Sequence, residues 1–260
     1  MISKCLAHCL LKQSIIIALV VNSIEIRAQE WKFSAGLAAV TNQQAWLDSD
    51  PTTSVVPILS AQYGDWSFLK QGLIAYKVYA KNELSLQFGL DYRDYTYDSA
   101  GLVRQTKTDN PLFEGYNSPD GDWVLTVSSS WHMFDLSLQQ DISDSSTALT
   151  VQLGVQVPIV QYNDFTLIAA AGSKWFSQDF INHTYGISGN QVSQSRERIA
   201  YQGESGINYQ LGLTAIFAFN KNWQVITAIG YEKLDSEITD SPLIGDEQIT
   251  SGSLGMIYSF

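Results

Sequence analysis

The stretch Ser251–Phe260, SGSLGMIYSF, decides how the chain is read. Leu254, Met256, Tyr258 and Phe260 occupy every second position, with Ser253, Gly255, Ile257 and Ser259 between them. A period of two is the mark of a strand with one apolar face. Soluble domains more often end in a polar tail that frays in water. A strand that finishes on an aromatic residue needs a neighbour for its backbone and an apolar medium for its side chains. The closing strand of a membrane barrel supplies both conditions, because closure leaves no unpaired edge in hydrocarbon.

The same alternation recurs upstream. Trp31, Phe33, Ala35, Leu37 and Ala39 form one apolar set, and Leu84, Leu86, Phe88, Leu90 and Tyr92 another. Leu149 to Val157 alternates with Thr150, Gln152, Gly154 and Gln156; Tyr209 to Phe219 and Trp223 to Tyr231 behave alike. Such segments of about ten residues suit a tilted strand crossing a bilayer, whereas soluble strands are more often about five or six. Aromatic residues stand at segment ends (Trp31, Trp66, Trp123, Trp131, Trp175, Trp223, Tyr231), as interfacial girdles do. The opposite faces carry Ser, Thr, Gln, Gly and Ala. A water-soluble sandwich or lipocalin-like barrel would place more charge there, and only 16% of the residues are charged.

Strands are expected near 31–40, 54–63, 65–70, 73–79, 84–97, 122–131, 134–142, 147–157, 165–176, 206–219, 223–232 and 248–260. Short connections alternate with longer ones, the pattern of periplasmic turns and external loops. The fold class is therefore all-β: a transmembrane antiparallel barrel of twelve strands with both ends on the periplasmic side. Joining 65–70 to 73–79 through a glycine bulge would give eleven, but single-chain bacterial barrels favour even numbers.

Residues 1–28 read as an export signal, with Lys4 and Lys12, an apolar core IIIALVV (15–21) and a small residue at Ala28. That leaves residues 29–260 as the barrel domain. The signal takes both cysteines, three of the 15 basic and one of the 26 acidic residues, so the remainder is cysteine-free with a net charge of about −13. Disulfides are not its stabilising device, and its charge makes nucleic acid a poor partner.

The carboxyl half carries a resemblance. TYGISGNQVSQS (184–195), AYQGESGINYQLGLTAIFAFNKNWQVITAIGYEKL (200–234), DSPLI (240–244) and the aromatic-ended last strand are similar to the MipA/OmpV family of outer-membrane proteins. PILSAQYGDWSF (57–68) resembles the family's proline-containing strand and tight turn, while 98–121 departs from many relatives. The resemblance implies a cell outer-membrane location and a non-enzymatic scaffold that binds a lytic transglycosylase and a murein synthase. Porin-like, adhesive and stress-response roles are described for other members. Further partners expected are outer-membrane lipid, lipopolysaccharide and the outer-membrane assembly machinery. Leu254, Met256, Tyr258 and Phe260 resemble the carboxyl-terminal signal which that machinery reads.

Chemistry-bearing residues are few. Beyond the signal only His132 and His183 remain. His132 falls in a turn beside Trp131, and His183 in the loop FSQDFINHTYG (176–186) near Asp179. Nucleophilic catalysis needs a hydroxyl paired with an oriented histidine; a solvated loop histidine is the simpler reading. Neither histidine has a companion at metal-ligand spacing, and no cofactor is expected. Asp235, Glu237, Asp240, Asp246 and Glu247 lack the spacing of a calcium loop. The run RER (196–198) could meet lipopolysaccharide phosphates, against a solvated default. Asp91, Arg93, Asp135 and Asp141 are the candidate lumen charges, either tuning permeation or joining in a structural plug.

Overall fold

A computed structural model describes residues 30–260 apart from 71, 96, 98–107 and 144–145. The expected export signal, 1–28, lies outside the described residues. The wall consists of β1 (Trp31–Asn42), β2 (Thr52–Tyr63), β3 (Trp66–Phe68), β4 (Ile74–Lys81), β5 (Leu84–Arg93), β6 (Asp122–Trp131), β7 (Phe134–Asp141), β8 (Leu149–Tyr162), β9 (Phe165–Phe176), β10 (Gly206–Ala218), β11 (Trp223–Lys233) and β12 (Gln248–Ser259). Each pairs antiparallel with its sequence neighbours, and β1 pairs with β12, so the barrel closes with twelve strands.

Register sorts the two faces. Leu37, Val55 and Ile229 point outward at 61%, 71% and 61% exposure. In water that would be a large penalty, but hydrocarbon solvates them. Trp31, Trp66, Trp131 and Trp223 ring the short-turn end, while Tyr92, Trp123 and Tyr231 stand at the other, all outward. Pairs such as Gln152↔Lys174, Lys174↔Asn208 and Gln210↔Glu232 carry the polar set round the inner face.

The short turns include Gly64-Asp65, Asn82-Glu83, His132-Met133 and Asn163-Asp164. Gly64, Asn82, Glu83, His132 and Asn163 all take positive φ there. His132 meets Trp131 edge-on, and its Nδ1 contacts the Glu83 carboxylate, tying two neighbouring turns together.

Three boundaries differ from the sequence expectation. The strand expected over 84–97 stops at Arg93, because Tyr95 and Tyr97 pack inward against a core beyond the wall. The strand expected over 147–157 runs on to Tyr162. Pro158 lacks an N–H, and the register shifts there as a bulge before pairing resumes from Val160. The segments 65–70 and 73–79 are two strands, but the first shrinks to Trp66–Phe68. Consequently β2 pairs with β1 along all of Thr52–Tyr63 and with β3 only at Ala61–Tyr63. Pro57 lies in the stretch that lacks a second strand, where a missing N–H is tolerated.

The closing seam depends on one glycine. Gly36 lies opposite Ile257, and a Cβ at that position would overlap the Met256 carbonyl oxygen. Gly36→Val is expected to prevent closure. The heat-modifiable, compact band of the folded barrel should then be lost in gel electrophoresis; a normal band would refute this role for Gly36.

Candidate functional site

The buried apolar core lies outside the strand wall. Trp46, Leu112, Phe113, Tyr116, Phe180, Ile181, Ile187, Ile238, Leu243 and Ile244 cluster together, and all come from the long connections. Barrels of this class direct their long loops outward, so this cluster plugs the outer mouth.

The longest connection, 177–205, supplies most of it. It begins with helix α1 (Gln178–Tyr185), capped by the Ser177 side chain accepting from the Phe180 N–H, with Asp179 in the first turn. Spacing turns Phe180, Ile181 and Thr184 inward. Phe180 stacks on Phe176 at 4.6 Å and meets Tyr95 edge-on at 5.7 Å. Asn182 and Gly203 exchange two bonds of 3.0 Å across the loop. Helix α2 (Ser236–Thr239) from the last loop joins through Tyr201, whose hydroxyl donates to the Glu237 carbonyl at 2.8 Å. Burial, and then the carboxylates of Glu237, Asp240 and Asp235, raise the Tyr201 phenol above its ordinary value.

A buried polar joint holds the plug to the wall. Arg93 and Asp122 are cross-strand partners on β5 and β6, bonded at 2.8 Å with side chains 4% and 3% exposed. The Ser146 hydroxyl donates to the same Asp122 oxygen at 2.6 Å, and Arg93 lies over the Phe180 ring at 5.0 Å. Next to it, Asp141 accepts from the Ser143, Ser146 and Thr147 N–H groups and shapes that loop.

The candidate lumen charges therefore sit in different settings. Arg93 and Asp141 lie in this joint. Asp91 accepts from the Tyr92 N–H and lies beside Gly72. Asp135 stands in the lumen opposite Gly154, and its Oδ2 is buried without a hydrogen-bond partner. Leu254, Met256 and Tyr258 share the lipid face of β12, where Tyr258 packs on Trp223 and Phe260.

Two loop expectations need correction. His183 is not a solvated loop residue: it sits on α1 with a side chain 15% exposed, 2.9 Å from the Asp120 carbonyl and 3.7 Å from Asp122 Oδ1. A carbonyl neighbour requires Nε2 to be the protonated donor. Ser146 donates to Asp122 rather than to His183, so a serine, an aspartate and a histidine are gathered without forming a nucleophile–base pair. The RER run is likewise not a free cationic patch. Arg198 is buried, donates to the Leu112 and Gln191 carbonyls and covers Tyr116, while Arg196 pairs with Glu114 at 3.0 Å. Among the acidic loop residues, Asp235 caps α2 and Glu247 pairs with Lys233. No three metal-ligating side chains gather among the described residues.

Beneath the plug lies a cavity of about 500 Å³. Its roof includes Trp46, Tyr95, Phe180 and Tyr185, and its walls include Gln152, Gln156, Lys174, Asn208, Gln210 and Glu232. Lys174 donates to the Tyr95 hydroxyl at 2.9 Å, and Asn208 donates to Glu232 at 2.6 Å. The alternation of strands β8 and β10 marks these amides as inward-facing. Sequence reading missed Asp122, Lys174 and the plug residues, because only their meeting in space distinguishes them.

The family described as "MltA-interacting protein MipA" matches residues 35–260. The chain belongs to the MipA family. A putative outer membrane protein, YiaT of Escherichia coli K12, is 24% identical over 234 residues, covering 88% of this chain and 91% of that one. The MltA-interacting protein of the same organism is 28% identical over 95 residues, 36% of this chain and 38% of that one. Among solved structures, an outer membrane channel from Pseudomonas putida F1 is 11% identical with a TM-score of 0.44, covering 92% of this chain and all of that one. This MipA-family barrel is an outer-membrane protein. Its plugged mouth and amide-lined cavity are thus features of a lipid-embedded wall.

Proposed function

We propose that this barrel is a non-enzymatic envelope scaffold, which presents its periplasmic turns to murein-processing enzymes. The observation that carries the reading is the plug. Apolar side chains from four of the long connections fill the outer mouth, which disfavours bulk passage of solutes and leaves the protein's surfaces to do the work. The name of the MltA-interacting relative points to a lytic transglycosylase as partner; a murein synthase is the second candidate. A photo-crosslinker at Met133 or Asn163, both in short turns, should capture a lytic transglycosylase in intact envelopes. Clean recovery of the barrel alone from both positions would overturn the scaffold.

The second reading is a small-solute channel, favoured by the polar cavity under the plug. It requires single-channel steps from the intact protein in planar bilayers, and the scaffold reading requires their absence.

The aromatic end of β12 supports a role as the signal read by the assembly machinery, in contact with outer-membrane lipid and lipopolysaccharide on its outer face. Phe260 is exposed beside Tyr258, and its N–H donates to the Phe33 carbonyl at 2.9 Å. Deleting Phe260 removes one backbone bond from a seam of many, so the isolated barrel should refold normally. The yield in the outer membrane should nevertheless fall several-fold. Undiminished assembly in cells would remove the signal.

A further inference from the structure

The cavity beneath the plug presents polar groups whose hydrogen-bonding capacity is unused by the described protein groups and open to solvent or a ligand. Gln152, Gln156 and Gln210 line it from β8 and β10. None of their side chains bonds to another described residue, although neighbouring amides such as Asn208 and Gln43 do. Asp135 adds a buried carboxylate oxygen with no partner. Asp135 owes its place to Gly154, because a Cβ there would overlap its carboxylate.

The kind of unused group defines the ligand. A carboxamide both donates and accepts, as a sugar hydroxyl does. Asp135 is half-buried, and its second oxygen, Oδ1, is the one that accepts from a ligand hydroxyl. Lys174, the cation among the lining residues, donates to the Tyr95 hydroxyl and is outnumbered by the carboxylates of Asp135 and Glu232, so an anionic ligand meets a net negative wall. Above the amides, Trp46 and Tyr185 lie 5.6 Å apart and give apolar surface for the carbon face of a ring. The volume of about 500 Å³ falls within the range of roughly 300–1,000 Å³ usual for small-molecule sites. Gln156, at the cavity margin, is exposed, so the site opens to the lumen.

We propose that the lumen cavity is a binding site for a neutral polyhydroxylated ligand, a mono- or disaccharide, held by Gln152, Gln156, Gln210 and Asp135 under the plug aromatics.

The test uses the full barrel refolded in a zwitterionic detergent, since sugar-headed detergents would compete. Titration calorimetry would be run with cellobiose and N,N′-diacetylchitobiose, with glucuronate as an anionic sugar and with spermidine as a cation. The neutral disaccharides should bind and the other two should not. Gln152→Leu with Gln210→Leu should weaken binding about twenty-fold, the loss expected from two hydrogen bonds, while leaving the heat-modifiable band unchanged. Should the double variant fail to fold, each single variant should lose about five-fold. Absence of heat with both neutral disaccharides, binding of spermidine or glucuronate alone, or unchanged affinity in folded variants would each overturn the site.

Discussion

Asp122→Ala will destabilise the barrel far more than the loss of any exposed carboxylate, such as Glu114 or Glu247. Its carboxylate is the counter-charge of Arg93, and both side chains are almost wholly removed from solvent. Truncation leaves a guanidinium buried against the Phe180 ring, with no other ion-pair partner among the described residues, and takes the acceptor of the Ser146 hydroxyl. Breaking one side of a buried pair typically costs about 3–5 kcal/mol, far beyond the worth of a surface pair. The expected result is a marked fall in the temperature at which the heat-modifiable band disappears. Arg93→Leu together with Asp122→Leu removes both charges and should recover much of that loss, because an apolar pair suits the site. Equal melting of Asp122→Ala and the parent would show that the joint carries no weight.

Excising the plug's main segment should change what the barrel transmits. Phe176 and Gly206, the last residue of β9 and the first of β10, are register partners, so a short glycine-serine linker can replace 177–205 without disturbing the wall. The deletion removes Phe180, Ile181 and Ile187 from the core, and with them the Arg198 bonds that hold the neighbouring loop. Bilayers holding the shortened protein should show single-channel steps, and bilayers holding the parent should not. The lumen retains Asp135 and Glu232 on a strongly acidic protein, which predicts cation preference. A silent shortened barrel that still runs as the compact band would mean that something else closes the lumen.

The strands were legible because lipid imposes a strict rule on them. Outward positions must be apolar, so Tyr209, Leu211 and Leu213 alternate with Asn208, Gln210, Gly212 and Thr214 along β10. The plug obeys no such rule. Trp46, Phe113, Phe180 and Leu243 stand in apolar runs of two or three residues within polar loops, and no local period links them. Helix α1 is eight residues long, too short for helical periodicity to emerge, although Ser177 and Asp179 already form a start signal. Arg93 was visible as a lumen charge, but its partner lies 29 residues away and follows only from the β5–β6 register. His183 looked solvated for the same reason: its neighbours Asp120 and Asp122 arrive from another part of the chain.

The loops flanking the closing seam add a kinetic consequence. Trp46 and Ile244 bridge the β1–β2 and β11–β12 connections, with the Leu47 N–H on Leu243 and the Gly245 N–H on Ala45, each at 2.9 Å. These contacts join residues about two hundred positions apart, so they form only after the first and last strands have met, and such long-range contacts slow folding. The same clasp works in reverse. To unzip between β1 and β12, the molecule must first release a latch that sits outside the wall, so a barrel slow to close is also slow to come apart.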